Sequence, residues 1–357
     1  MVTLCACESV SGPTKPLPAT PANPLPATSG DIVLMTAANH LERLSIATGS
    51  SVWDIPLGGE AQLPFTHHVI ALTPDQRRLA ALVRGPQSEV VIAEVQSGAV
   101  VSRRVLPSGV TYQGLDVGPR SGRVYVFGIR ETGPSRGPTK GPPAEALVSV
   151  LAPDLASLVA VATVRPSAGF NWSVYQAEVD PSEFHVLMSY HGPDTTGVDM
   201  LTLDGDRLVQ PCAQAGIGCI ESHGGFVLRR ERVFLATGGA RIIEADATGQ
   251  TLRVIETGIE NEHLMEFALD STGSKLFFAG SCKYSRGLFV VDLATSKTMA
   301  LAKQRSQTCG ERILVAGESR LVIFDPDILF VDAVTGHVDF HQSAGLDPPI
   351  DGLVLAA

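Results

Sequence analysis

The feature that most constrains this chain is a unit of short strands and tight turns that recurs about every 35 to 50 residues. Its clearest copy is segment 266–297, EFALDSTGSKLFFAGSCKYSRGLFVVDLATSK. Runs of Leu, Phe and Val alternate there with Gly, Ser, Asp and Thr, which is typical of half-buried antiparallel strands. A strand-rich repeat of this length predicts a β-propeller, in which four-stranded sheets surround a central channel.

Two kinds of turn set the register of the repeat. One joins the first strand to the second, and the pattern x-Pro-x-x-x-basic-aliphatic or a close variant marks it at 73–79, 118–124, 180–186 and 270–276. Proline presets φ for such a turn and removes a donor that the strand ladder does not need. The other is an outer hairpin turn, in most copies with a glycine, near residues 47, 96, 247, 294 and 334. Glycine supplies the positive φ that such hairpins require.

Aligned on these turns, the chain divides into six complete blades and two terminal fragments. The blades are expected near 67–107, 111–165, 174–211, 223–257, 264–302 and 311–342. The C-terminal fragment 351–357 reads as an innermost strand, and segments 31–35, 41–47 and 51–57 supply the three strands that should follow it. We therefore predict an all-β, seven-bladed propeller over residues 31–357, closed by pairing the two termini in one blade; six or eight blades are the alternatives.

Composition fits one large all-β domain and argues against two classes of partner. The 357 residues include 35 Gly and 24 Pro, and 44% are hydrophobic. A net charge of −10 argues against nucleic acid, because phosphate backbones are bound by clustered Lys and Arg. The longest apolar run, 158–164, is far too short to span a bilayer.

Six cysteines are placed in pairs. Cys212 and Cys219 bracket one loop, and Cys282 and Cys309 fall in two others. Pairs on loops favour the disulfides of an exported protein, with free thiols and a metal site as the alternatives. No CxxC spacing typical of a zinc site is present.

The N-terminus resembles a bacterial lipobox. The sequence Leu-Cys-Ala-Cys ends at Cys7, and a Pro/Ala/Thr-rich tract containing PLPAT twice follows it up to residue 30. Such a tract cannot bury a core, so we expect residues 1–30 to be a disordered tether. We predict that Cys7 is lipidated, that the true start lies upstream of Met1, and that this anchor is the protein's only membrane contact; a cytosolic tail is the alternative.

The repeat resembles the YVTN and WD40-like bacterial propellers, a superfamily with many exported members. The best match is KLFF at 275–278 followed by LFVVDLAT at 288–295, with partial matches at 123–127 and 329–336. The full YVTN tetrapeptide is absent. The resemblance implies a propeller and leaves the activity open, because the superfamily includes lactonases, cofactor-binding oxidoreductase domains and binding modules.

In a propeller, the loops that enter the innermost strands share one face with the loops that join the second and third strands. We call this the loop face, and we expect function there because a rigid ring positions its loops. Asp351 belongs to it, as does the long segment 128–144. The predicted ligand-binding side chains at the channel mouth are His68, Gln113, Tyr175, Gln176, His223, Glu262, His263 and Glu311.

No GxSxG, P-loop, HExxH or GxGxxG motif is present, so a non-enzymatic binding propeller is the favoured function. We expect a monomer in the cell envelope that recognises a protein or small molecule, without a cofactor. The alternative is a lactonase-like hydrolase with a divalent metal held by His68, Glu178, His223 and Glu262, since imidazole and carboxylate groups suit Zn²⁺ or Mn²⁺. A third reading is a structural part of a surface assembly, which predicts an exposed apolar patch.

Overall fold

A computed structural model describes the chain from residue 30 to residue 355, with gaps. The described residues are 30–46, 48–59, 68–133, 144–164, 173–191, 196–203, 207–209, 214–216, 226–229, 231–237, 241–259, 264–280, 287–303, 312–317, 319–325, 327–342 and 347–355. Within these ranges, no helix is both long enough and apolar enough to cross a membrane.

The described residues form seven antiparallel sheets of four strands each, so the predicted fold class is confirmed. From the axis outward, blade 1 is β28 (Pro349–Val354), β1 (Asp31–Thr36), β2 (His40–Ser45) and β3 (Ser51–Pro56); blade 2 is β4 (Ile70–Leu72), β5 (Arg78–Val83), β6 (Glu89–Glu94) and β7 (Val100–Val105); blade 3 is β8 (Thr111–Val117), β9 (Val124–Glu131), β10 (Ala144–Leu151) and β11 (Leu158–Val164).

Blades 4 to 7 repeat the same order. Blade 4 is β12 (Ser173–Val179), β13 (His185–His191), β14 (Thr196–Thr202) and β15 (Arg207–Val209); blade 5 is β16 (Phe226–Arg229), β17 (Arg232–Thr237), β18 (Arg241–Asp246) and β19 (Thr251–Glu256); blade 6 is β20 (Leu264–Leu269), β21 (Lys275–Gly280), β22 (Gly287–Asp292) and β23 (Lys297–Lys303); blade 7 is β24 (Arg312–Ala316), β25 (Arg320–Asp325), β26 (Asp327–Asp332) and β27 (Val338–Gln342).

The ring closes in blade 1, where the two ends of the chain share a sheet as predicted. Strand β28 pairs antiparallel with β1, with Ile32 opposite Val354 and Leu34 opposite Gly352. Gly352 is required there because a Cβ at this position would lie 2.5 Å from the ring of Phe324 in blade 7. This closure removes the exposed strand edges that an open array of sheets would leave.

The core lies between the blades, and its side chains come mainly from the second and third strands. Strand β5, for example, buries every residue after Arg78. In blade 6, Phe278 stacks on Phe289 with ring centroids 5.4 Å apart and meets Phe267 edge-on at 6.0 Å. Burying side chains of this size contributes roughly 1.5–3 kcal/mol each, so sheet-on-sheet packing dominates the stability of the ring.

An aspartate at the first position holds two of the inner turns. In the turn after β12, Asp180 Oδ1 accepts the backbone N–H groups of Phe184 at 3.2 Å and His185 at 2.9 Å. In the turn after β20, Asp270 Oδ1 accepts those of Ser274 and Lys275 at 2.7 and 3.0 Å. These bonds satisfy backbone N–H groups of the turn that have no partner in the sheet, which explains why Asp occurs at this position.

Candidate functional site

Charged side chains from five blades meet around the axis, on the innermost strands or just before them. His68 lies two residues before β4, and Arg312 opens β24. Glu266 and Asp351 lie in the first halves of β20 and β28, whereas Glu178 is the next-to-last residue of β12. We call this group the axial cluster: His68, Glu178, Glu266, Arg312 and Asp351. The antiparallel order of each blade puts these strand entries on the same end as the loops between second and third strands, which is the loop face.

Arg312 is the cation at the centre of the axial cluster, and only 9% of its surface is exposed. Its Nη1 lies 3.3 Å from Glu266 Oε2, and its Nε lies 3.1 Å from Asp351 Oδ1. The contact with Asp351 lacks hydrogen-bond geometry, so it is an ion pair only. Burial alone would lower the pKa of Arg312, but the neighbouring carboxylates, Asp351 first, outweigh burial and raise it. The guanidinium therefore stays charged inside the ring.

His68 lies against Arg312 and connects it to Glu178. Its Nε2 is 3.1 Å from Arg312 Nη1 and 3.6 Å from Glu178 Oε1, while Nδ1 is 3.4 Å from Arg312 Nη2. A neutral imidazole has one acceptor nitrogen, so only one of the two arginine contacts can be a hydrogen bond. The backbone of His68 has φ +58°, a left-handed conformation that is uncommon outside Gly but that His, Asn and Asp adopt more often than other residues.

Glu178 is a buried carboxyl group whose two oxygens already have partners. Gln176 Nε2 donates to its Oε1 at 2.9 Å, and the backbone N–H of Leu228 donates to its Oε2 at 3.3 Å. Burial, followed by repulsion from Asp116, raises the pKa of Glu178 to about 8. Since this pKa lies above neutral pH, the group is mainly protonated at pH 7 and can donate as well as accept a proton.

Carboxylates on the inner strands also join neighbouring blades. Asp351 Oδ2 on β28 accepts the backbone N–H groups of Val69 at 2.7 Å and Ile70 at 3.0 Å at the start of blade 2. Asp116 Oδ2 on β8 accepts that of Val179 on β12 at 2.9 Å. Burial raises the pKa of Asp116 to about 6. These bonds hold adjacent inner strands together, so part of this polar set is structural.

A second cation, Arg84, lies near the axial cluster on the same end of the ring. It follows β5, and its Nη2 donates to the backbone carbonyl of Gln113 at 2.8 Å. Gln113 lies at a shift of register in β8, and Tyr175 lies at the equivalent shift in β12. Such bulges near strand ends re-aim side chains. Burial lowers the pKa of Arg84 to about 10.

The predicted ligand-binding residues are described only in part. The structure brings His68, Gln176 and Glu178 together, and it puts Gln113 beside Arg84. Tyr175 lies on β12, and only its backbone is described. The remaining predicted residues lie outside the described residues: His223, Glu262, His263 and Glu311.

Sequence reasoning missed Arg84, Asp116, Glu266 and Arg312 as members or neighbours of the site. A usable signal was present for three of them, because Asp116, Glu266 and Arg312 interrupt or open strands that are otherwise largely apolar, as in LMEFAL and RILVA. A charge on an innermost strand must find a partner inside the ring, since such groups are rarely buried unpaired. Asp351 was expected on the loop face, but not as the partner of an arginine.

The predicted metal site stays a prediction. His68 and Glu178 are 3.6 Å apart, but the other two proposed ligands, His223 and Glu262, lie outside the described residues. Within the described part of the chain, no group of three or more His, Cys, Asp or Glu side chains could hold a metal ion. The guanidinium of Arg312 already contacts His68 where a second cation would be repelled.

Predictions about cysteine also lie outside the described residues. This applies to the disulfide candidates Cys212, Cys219, Cys282 and Cys309, and to the lipidation candidate Cys7. The N-terminal tether, residues 1–29 of the predicted 1–30, lies outside as well.

Apolar side chains are exposed on the outermost strands rather than at the axial cluster. On β7, Val100, Val101 and Val105 are 41–47% exposed, and on β11, Val159 and Val161 are 45% and 48% exposed. Scattered exposed apolar residues are normal for a folded protein. They therefore do not by themselves favour the third reading, a structural part of an assembly.

No family model and no curated protein matches this sequence. Among solved structures, dihydro-heme d1 dehydrogenase NirN in complex with DHE has a TM-score of 0.55 at 13% identity, over 94% of this chain and 76% of that chain. A "putative 6-phosphogluconolactonase" from Bacteroides fragilis NCTC 9343 has a TM-score of 0.54 at 12% identity, over 92% of this chain and 99% of that one.

These similarities concern the fold alone. They agree with a seven-bladed β-propeller, and no comparison of sequence confirms the YVTN or WD40-like superfamily. The class defined so far is therefore a seven-bladed propeller with a charged cluster at the loop-face end of its axis.

Proposed function

We propose that this protein is a non-catalytic binding propeller whose ligand contacts the loop face around the axial cluster. The ligand is a protein or a small molecule, and recognition is by a rigid surface built from several blades. The convergence of His68, Glu178, Glu266, Arg312 and Asp351 from five blades carries the proposal. Because the packed ring already holds these charged side chains in place, little side-chain entropy is lost when a ligand binds them.

The hydrogen bonds of the axial carboxylates support binding over catalysis. Both oxygens of Glu178 accept hydrogen bonds, and both oxygens of Asp351 do so as well. Carboxylates held in this way keep their orientation and their partners. They suit a fixed recognition surface better than a general base that must release and take up protons.

Localisation forms part of the same proposal. The lipobox-like segment that ends at Cys7 and the Pro/Ala/Thr-rich tract after it support an exported protein tethered to the cell envelope. A tether of this composition would leave the propeller free to present its loop face to a partner.

The second candidate function is a lactonase-like hydrolase, and one observation favours it. Glu178, with a pKa raised to about 8, lies 3.6 Å from His68, and such a pair can exchange protons near neutral pH. One structural neighbour is named as a putative 6-phosphogluconolactonase, so 6-phosphogluconolactone is the natural probe substrate.

The test compares wild-type protein with His68→Asn and Asp75→Ala. Asn tolerates the left-handed backbone of His68 but removes the imidazole, whereas Asp75 is an exposed residue in the turn at the opposite end of blade 2. Each protein is used to capture partners from the envelope fraction of the source cells, and captured proteins and metabolites are quantified by mass spectrometry. Lactone hydrolysis is followed in a pH-stat with and without Mn²⁺.

We expect a species that wild-type protein and Asp75→Ala retain at equal levels and that His68→Asn retains at least tenfold less, together with no hydrolysis above the buffer rate. Hydrolysis that His68→Asn loses would establish the enzyme alternative instead. Equal retention by all three proteins would show that the axial cluster is not the binding surface.

A further inference from the structure

Arg84 is a mostly buried guanidinium without a counter-charge in the described structure. Among the described residues its one hydrogen-bond partner is the Gln113 carbonyl, which accepts from Nη2 at 2.8 Å, and its Nε is out of contact with solvent and has no acceptor there. Within the described residues, no carboxylate forms an ion pair with it. Burial lowers its pKa to about 10, as expected for a guanidinium that no charge of the described residues compensates.

The contrast with other arginines makes this arrangement informative. Arg312, which is also buried, is held by Glu266 and Asp351, and Arg103, nearby in blade 2, pairs with Glu89 at 2.7 Å. A buried charge without a partner destabilises a fold, because desolvation is not offset. A fold that keeps such a residue gains something other than stability from it.

The position of Arg84 puts it beside the axial cluster. It follows the second strand of blade 2, so it lies on the loop face. It binds the carbonyl of Gln113 on β8, and the N–H of Leu115 on the same strand donates to the carbonyl of His68 at 2.7 Å. Arg84 and His68 are therefore attached to the same short stretch of one inner strand.

Close packing fixes the backbone of Arg84. Gly59 has φ +96°, and a Cβ there would lie 2.4 Å from the carbonyl oxygen of Arg84. The segment that carries Gly59 therefore presses directly on the Arg84 backbone. A guanidinium on a held backbone with one fixed hydrogen bond is oriented before any ligand arrives, which favours recognition.

We propose that Arg84 binds an oxyanion, a carboxylate or a phosphate group, on the ligand of the loop face. The planar fork of arginine matches both anions and can bind either through two hydrogen bonds. This inference deepens the proposed function and rests on it: it states the charge that the ligand must carry at the edge of the axial cluster.

The experiment measures thermal stability in sodium phosphate and, separately, in sodium acetate, each against sodium chloride of equal ionic strength at one pH. Wild-type protein is compared with Arg84→Met, Arg84→Lys and Arg123→Met. Arg123 is the matched control, because it is an exposed arginine in the turn at the opposite end of blade 3. Phosphate and acetate serve as the probes, and their two arms separate a phosphate ligand from a carboxylate ligand.

We expect one of the two anions to raise the melting temperature of the wild-type protein and of Arg123→Met in a saturable way, by about 4 °C near a hundredfold excess over Kd. Arg84→Met should lose this rise, and its melting temperature in chloride should be equal to or above that of wild type, since an unpaired buried charge is removed. Arg84→Lys should keep a weaker response. A residue with a merely structural role would instead lower the melting temperature in chloride when replaced.

Two results would overturn the inference: no shift of the wild-type protein in either anion, or a shift that Arg84→Met retains in full. Either result would show that Arg84 does not bind an anion, but it would not show that the loop face is not a binding surface. The capture experiment with His68→Asn decides that second question independently, because its readout does not depend on Arg84.

Discussion

Replacing Arg312 by Met should destabilise the ring more than any change of a surface charge. Arg312 lies between Glu266 and Asp351, whose residues are 4% and 0% exposed. Met has a similar length and no charge, so the variant leaves two buried carboxylates without their cation. Asp351 keeps three backbone donors, from Val69, Ile70 and Gly352, whereas Glu266 loses the ion pair that links it to blade 7.

The magnitude follows from the cost of breaking a buried ion pair on one side, about 3–5 kcal/mol. An unfolding entropy of about 2.1 cal/mol/K per residue gives about 0.7 kcal/mol/K for a chain of this length. We therefore expect the melting temperature to fall by about 4–7 °C.

Burial already raises the pKa of Asp351, and loss of Arg312 raises it further. Because an acid with a raised pKa in the folded state loses stability as pH increases, the deficit should be larger at pH 8 than at pH 5.

The assay is differential scanning calorimetry of Arg312→Met at both pH values, with two further variants. Arg241→Met is the control: it breaks an exposed pair with Glu256, whose contact is 2.9 Å, and should cost less than about 1 kcal/mol. Adding Glu266→Gln to Arg312→Met should recover part of the loss, because one of the two buried carboxylates that lost Arg312 becomes neutral. A shift of Arg312→Met no larger than that of Arg241→Met, or no dependence on pH, would refute the reasoning.

Three further predictions test other parts of the ring. The melting temperature of Glu178→Gln relative to that of wild type should increase as the pH is raised from 5 to 9. The reason is that the wild-type acid has a pKa of about 8 when folded and 4.5 when unfolded, so it loses stability as pH rises through this window. A difference in melting temperature that stays constant with pH in calorimetry would contradict this. Asp116→Asn should lower the free energy of unfolding in urea by about 1–3 kcal/mol, since its amide NH₂ must face one of the two N–H groups that the carboxylate accepts; an unchanged midpoint would be evidence against the interblade role. Gly336→Ala should cost several times more than Gly109→Ala, because both have positive φ but only at Gly336 would a Cβ lie 1.9 Å from the Leu301 carbonyl; equal urea midpoints would contradict the packing argument.

The number of blades could be predicted because the information is local. Several inner turns are specified within about six residues, as when Asp270 accepts the N–H groups of Ser274 and Lys275. The described outer hairpins, those of the six blades other than blade 4, each carry a residue of positive φ, such as Gly98 or Gly336. Repeating such turns leaves fragments at both ends, and closing the ring with them follows from the cost of an exposed strand edge.

The candidate site could be predicted only in outline. The sequence indicates which end of each strand faces the channel mouth, so His68, Gln176 and Glu178 could be assigned to one end. It does not indicate which side chains meet. Arg312 and His68 are 244 positions apart, and Arg312 and Glu266 are 46 apart. No local pattern relates such positions.

Turn chemistry and strand periodicity act over a few residues, so the all-β class, the seven blades and the joining of the termini could all be predicted from the amino-acid sequence. The tertiary structure decided that Arg312 has two carboxylate partners and that Arg84 has none in the described chain. The physical reason is that ionic partners are set by distances of 3 to 4 Å across the ring. Those distances exist only after all the sheets have packed around the axis.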